Sequence, residues 1–87
     1  SKDYGQAMII AENQMNESLY IRAIRAGVID GQVEDFNWVT TTTALPESGN
    51  AALRHELKRY QLEVEVQWLE AGRQRQLKLQ NLALVEE

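Results

Sequence analysis

The 87-residue chain contains no cysteine, one proline and one histidine. Without cysteine it has neither a disulfide framework nor a thiolate metal site, which leaves the compartment open. None of its apolar runs approaches the roughly 18 consecutive residues of a membrane span. A formal net charge of −4 argues against nucleic acid, which needs clustered Lys and Arg. The length suits a single domain, predicted to span residues 1–87.

Residues suited to catalysis or metal binding are few and scattered. His55 has no cysteine or nearby serine in a recognisable constellation, so we expect an exposed loop residue. Asp30, Glu34 and Asp35 lie near a glycine but lack the regular alternation of a calcium loop. A glycine-rich phosphate loop is also missing. We therefore expect no catalytic residue, cofactor or metal, and a protein that acts by being bound.

The first nineteen residues have the spacing of an amphipathic helix. One face carries a predicted core stripe of Tyr4, Ala7, Met8, Ala11, Met15 and Leu19. Ile9, Ile10 and Tyr20 fall outside this stripe, where a surface helix should be polar. Asn13 and Asn16 lie between them on the helical wheel. We predict that these five residues bind a partner, because three apolar side chains on one flank form a small patch.

The chain beyond this helix changes character. Residues 20–26 either extend the helix or start a short second one, and Gly27 is well placed to end it. The pair Asp30 and Gly31 predicts a turn. The aromatic and β-branched residues from 33 to 43 favour a strand, which is followed by a loop with turn chemistry at residues 45–50.

The last third of the chain predicts a β-hairpin. Apolar residues alternate with polar ones at Tyr60, Leu62, Val64, Val66 and Trp68. A turn centred on Ala71 and Gly72 gives one register that suits both faces. The expected pairs are Val66 with Leu77, Val64 with Leu79, and Glu65 with Lys78. Leu82 and Leu84 are out of step with the preceding leucines, so a bulge near Asn81 is expected to return them to the core.

Several short segments occur in a recognisable order. They are an Ala- and Asn-containing helix end at residues 11–19, Gly27, a strand opened by Phe36-Asn37-Trp38, then Thr43, Pro46 and the strand at residues 59–66. In this order they resemble the periplasmic part of a minor pseudopilin of the type II secretion system. Within that group the chain is most similar to the I-type subunit.

The helix-then-strands order predicts a two-layer α+β fold, with the N-terminal amphipathic helix packed on an antiparallel β-sheet. The resemblance implies that this domain is pilin-like, has no enzymatic activity and projects into the periplasm from an inner-membrane anchor. It also implies assembly with the J-type and K-type minor pseudopilins at the pseudopilus tip, in support of protein export. Two alternatives stay open: a minor pilin of a type IV pilus or DNA-uptake fibre, and a small cytoplasmic adaptor domain.

A first prediction concerns the native open reading frame. The family's leader, methylated N-terminus and long hydrophobic helix are not among these 87 residues, and the helical pattern starts without a cap. We expect the frame to continue upstream of Lys2 into about 20 or more largely apolar residues, the length of a membrane-spanning helix. Reading the upstream codons tests this. A polar segment or an immediate initiator methionine would remove the pseudopilin hypothesis.

Overall fold

The computed structural model describes residues 2–46 and 57–86. Its elements are α1 (Lys2–Asn16), a π-helical turn (Glu17–Ile21), β1 (Gly27–Val33), β2 (Phe36–Ala44), β3 (Leu57–Glu70) and β4 (Arg73–Glu86). The strands form one antiparallel sheet in the order β1-β2-β3-β4. The helix α1 packs on β3, β4 and β2. The predicted α+β fold, one helix on an antiparallel sheet, is confirmed.

The β3–β4 hairpin has the predicted register. Its pairs include Val66 with Leu77, Val64 with Leu79, and Glu65 with Lys78. Ala71 and Gly72 both have positive φ, 52° and 76°, as in the two-residue type I′ turn whose twist suits antiparallel strands. On the inner face, Leu62, Val64 and Val66 are fully buried. The alternating sequence therefore separates a core face from an outer face that is polar along most of its length.

The predicted bulge near Asn81 is wrong. Asn81 pairs directly with Leu62, and the ladder continues without interruption to the end of β4. Leu82 and Leu84 consequently lie on the outer face, 68% and 66% exposed, while Ala83 occupies the buried inner position between them. A bulge would have left one residue unpaired and disrupted the ladder locally. Regular pairing keeps the hydrogen bonds of the ladder but leaves Leu82 and Leu84 exposed to solvent.

The segment after the helix also departs from the sequence-based prediction. Regular helical structure ends at Ile21, and residues 22–26 form no second helix. Gly27 begins β1 instead of capping a helix, and the predicted turn at Asp30 and Gly31 lies inside that strand. The turn between β1 and β2 is at residues 34–35, where Glu34 has a φ of 52°. Of the predicted 45–50 loop, residues 47–50 lie outside the described residues.

Gly31 lies in a strand because of its cross-strand neighbour. It pairs with Trp38 in β2. A Cβ atom added at Gly31 would lie 2.5 Å from the Trp38 ring, closer than a side chain can approach. Glycine inside a strand commonly marks such a close approach. The indole therefore occupies the space of the missing side chain and attaches β1 to the sheet.

The core lies between α1 and the inner face of the sheet. Its buried apolar residues are Ala7, Ile10, Ala11, Met15, Phe36, Trp38, Leu62, Val64, Val66, Trp68, Leu77 and Ala83. Of the predicted stripe on α1, three residues are fully in this core, and Met8 and Leu19 are partly buried against it. Tyr4 is more exposed, but its ring meets the Trp68 ring edge-on at 6.5 Å.

A second prediction tests the hairpin register. Val64→Asp would put an unpaired carboxylate in the core, and we expect it to remove most of a stability that is on the order of 5 kcal/mol. Glu65→Gln, on the outer face, should change stability by less than about 1 kcal/mol. Thermal melts of both variants give the comparison. The opposite ranking would contradict the register.

A third prediction compares two glycines. Gly31→Ala should lower stability by about 1–3 kcal/mol, because the new methyl group collides with the Trp38 ring. Gly5→Ala is the control. Gly5 lies within α1 and has nothing within 4 Å of an added Cβ. It should raise stability by up to about 1 kcal/mol through helix propensity. Chemical denaturation of both variants measures the difference, and equal effects would show that the Trp38 packing is unimportant.

Candidate interaction surface beside the first helix

The buried face of α1 differs from the predicted one at Ile10. The prediction that Ile10 lies outside the core is wrong, because its side chain is only 6% exposed and belongs to the core. Ile10, Gln14 and Ser18 follow one another at four-residue spacing and share a face. Ser18 is buried and Gln14 is half-buried. Hydrophobicity alone missed this face because two of its three residues are polar.

The other four predicted partner-binding residues are on the surface. Ile9 is 59% exposed and Tyr20 is 79% exposed, so both lie outside the core as predicted. Asn13 and Asn16 are also exposed. These four residues, Ile9, Asn13, Asn16 and Tyr20, are called the α1 flank below. It presents two large apolar side chains separated by two amides that can donate and accept hydrogen bonds.

A π-helical turn sets the direction of the last part of this flank. The Arg22 N–H donates to the Glu17 carbonyl oxygen at 2.9 Å, and the two side chains form an ion pair at 3.5 Å. Such a turn spans more residues than an α-helical turn, so side chains after it are rotated from their α-helical positions. Tyr20 and Ile21 both point into solvent. The exposure of Ile21 was not predicted, because residues 20–26 were assigned either to an extension of the helix or to a short second one.

An open groove lies between α1 and β1. It encloses about 560 Å³. Its lining consists of Lys2, Gly5, Gln6, Ile9, Ile10, Asn13, Gln14 and Val33. Three of the five predicted partner-binding residues, Ile9, Ile10 and Asn13, therefore line one concave surface. Asn16 and Tyr20 are not among the lining residues. Ile10 contributes to the groove wall as a core residue with little exposed area.

Polar groups define the groove at two points. At one end the Gln6 side-chain amide donates to the Glu34 carboxylate at 3.3 Å, linking α1 to the β1–β2 turn. Gln14 also lines the groove, and its Oε1 atom is buried from solvent and has no hydrogen-bond partner among the described residues. An unpaired buried acceptor carries a desolvation penalty, which a change of the Gln14 rotamer towards a donor would relieve.

A second cavity of about 400 Å³ lies where the chain leaves the helix and enters β1. Its lining includes Ser18, Ile29, Thr40, Thr42 and residues 22–28. Thr40 is buried, and its Oγ1 atom has no partner within the described part of the chain. The groove includes Val33 and this cavity includes Ile29, and both of these β1 side chains lie on the inner face of the sheet. Among the described residues, the inner face of β1 is thus incompletely covered.

The described parts of the chain contain no group of three or more metal-ligating side chains. Asp30 therefore forms no such group with Glu34 and Asp35. His55 lies outside the described residues. Over residues 2–46 and 57–86, no helix has the length and apolar character needed to cross a membrane.

Comparisons with protein-family models, curated proteins and solved structures find no match to this chain. Its function must therefore be inferred from its own residues and surfaces. The feature with the clearest chemical character is the α1 flank together with the adjoining groove.

Proposed function

We propose that this domain is a structural subunit of a type II secretion pseudopilus, a pilin-like minor pseudopilin of the I type. In this proposal the α1 flank binds a helix of a homologous minor pseudopilin. The observation that supports it most is the exposure of Ile9 beside an open, partly apolar groove. Large apolar side chains bordering a concave surface are typical of protein interaction sites.

The dimensions of the two layers leave room for a second helix. A helix with its side chains is about 10 Å wide, whereas four strands at about 4.8 Å spacing span a wider sheet. Here α1 packs on β3, β4 and β2. The inner-face residues Ile29 and Val33 of β1 remain partly exposed. A partner helix beside α1 would cover Ile9 and Val33 together.

The groove also offers polar groups that would orient a partner. Asn13, exposed on the groove, would supply a hydrogen-bonding amide to the incoming helix. A change of the Gln14 rotamer would bring its unpaired Oε1 atom to a donor of the same helix. Apolar contacts would provide most of the binding energy, while these polar groups favour one orientation. Tyr20, in the π-helical turn that follows α1, is an aromatic residue of the kind enriched among binding hot spots.

The partners in this proposal are the J-type and K-type minor pseudopilins at the tip of the pseudopilus, where the complex supports protein export. The domain would lie in the periplasm, anchored to the inner membrane by a segment preceding these residues. Its role would be mechanical and would need neither a cofactor nor nucleic acid. Binding through one helix flank suits this role, because it leaves the sheet available for other contacts.

A fourth prediction tests the flank. Ile9→Ser should weaken binding to the J-type subunit by about tenfold or more, because it removes an apolar anchor from the interface. Stability should change by no more than about 0.5 kcal/mol, since Ile9 is exposed in the free domain. Titration calorimetry with the J-type subunit and a thermal melt of the variant measure the two effects.

The matched control is Leu69→Ser, which removes a similarly exposed apolar side chain from β3 beside the hairpin turn. It should leave the affinity for the J-type subunit unchanged. Equal affinities of the Ile9→Ser variant and the unmodified domain would show that the flank is not the interface. A collapsed melt for Ile9→Ser would instead show that Ile9 supports the core.

A further inference from the structure

The β4 strand forms one edge of the sheet, and half of its backbone groups face away from β3. In a type I′ hairpin the residues next to the two-residue turn, Glu70 and Arg73, form a hydrogen-bonded pair. Antiparallel pairs alternate, so odd-numbered residues of β4 bond to β3 and even-numbered ones direct their N–H and C=O groups to the open edge. The N–H of Leu82 confirms this phase, because it bonds to the Asn81 side-chain oxygen at 2.8 Å instead of to β3.

The C-terminal half of this edge carries two exposed leucines. Leu82 and Leu84 project from the outer face and are among the most exposed apolar side chains of the described residues. They are bordered by Lys78 on one side and Glu86 on the other, both exposed. A long edge strand with exposed apolar side chains is a template for pairing with another strand.

We propose that a second copy of this chain pairs with β4 in antiparallel orientation over Lys78–Glu86, with a two-fold axis at Leu82. On the outer face the resulting pairs are Leu82 with Leu82, Leu84 with Gln80, and Lys78 with Glu86, the last two occurring twice. On the inner face they are Leu79 with Val85 and Asn81 with Ala83, also twice each. The two sheets would then form one continuous eight-stranded sheet.

Three properties of the edge select a second copy as the occupant. The charges at the two ends of the segment are opposite, so a two-fold arrangement places each Lys78 against a Glu86 of the other copy. The same register puts Leu82 opposite its copy across the axis and places each Leu84 diagonally next to the other copy's Leu82. Finally, even-numbered residues pair with one another in this register, and their backbone N–H and C=O groups already face the open edge.

The Asn81 side chain opposes this pairing. Its side-chain oxygen accepts a hydrogen bond from the N–H of Leu82, the residue at the proposed axis. Pairing with a second strand therefore has to break this bond. Side chains that satisfy outward backbone groups are one way to limit edge-to-edge association. Self-association is therefore expected to be weak, and removal of the Asn81 oxygen should strengthen it. This surface is separate from the α1 flank, so the inference does not depend on the proposed function.

A fifth prediction uses charge reversal at the two ends of the segment. Lys78→Glu alone and Glu86→Lys alone each bring like charges together twice, and each should weaken dimerisation about tenfold. An equimolar mixture of the two variants should recover the association of the unmodified domain, because a heterodimer restores both opposite-charge pairs. Sedimentation equilibrium of the domain at up to about 1 mM measures this.

Two further variants make the test specific to the edge. Asn81→Ala should strengthen self-association several-fold. Arg73→Glu, a charge reversal on β4 outside the paired segment, should leave it unchanged. Thermal melts establish that each variant is folded. A domain that stays monomeric at the highest concentration would overturn the proposal. A strand of another protein would then be the expected partner of the edge. A mixture no more associated than its separate components would overturn it as well.

Discussion

The β3–β4 hairpin is the element on which the rest of the structure depends. Its two-residue turn sets the register of two fourteen-residue strands and thereby directs every alternate side chain to one face. That face supplies Leu62, Val64 and Val66, which are fully buried. The helix packs mainly against this hairpin, with Tyr4 against Trp68 near the turn. A shift of one residue in the register would turn this apolar surface outward and leave α1 without a core.

The mismatch in size between the helix and the sheet explains the groove beside α1, which is part of the proposed interaction surface. The fifteen residues of α1 span about 22 Å, whereas each hairpin strand spans about 46 Å. The helix is also too narrow to cover all four strands. The groove beside β1 is therefore a consequence of one helix serving as the only regular layer on the described sheet.

Trp38 connects the core to the candidate interaction surface. Its ring lies over Gly31 and belongs to the buried core, so it holds β1 in place from the neighbouring strand. Val33, two residues further along β1, forms part of the groove opposite Ile9. The groove therefore has one wall from the helix and one from an edge strand, and their separation depends on this aromatic contact. The β4 strand lies at the opposite edge of the sheet from β1, so one molecule can present both surfaces at once.

Local patterns were sufficient to predict the helix, the β3–β4 register and the exposure of Ile9 and Tyr20. The physical reason is that the repeats of two and of three to four residues indicate which side chains share a face, whatever packs against them. Centring the turn on Ala71 and Gly72 then gave a register in which both faces of the hairpin agree. The structure has the positive φ at both positions that a type I′ turn requires.

Tertiary packing decided what these local patterns left undetermined. Gly31 lies in a strand because Trp38 covers it, although glycine after aspartate is typical of a turn. Ile10 is buried because the sheet lies beneath its face of α1, whereas sequence spacing assigned it to the partner surface. Leu82 and Leu84 remain outside because the regular ladder continues past Asn81. In each case burial depends on what covers the residue, and residues distant in the sequence supply that cover.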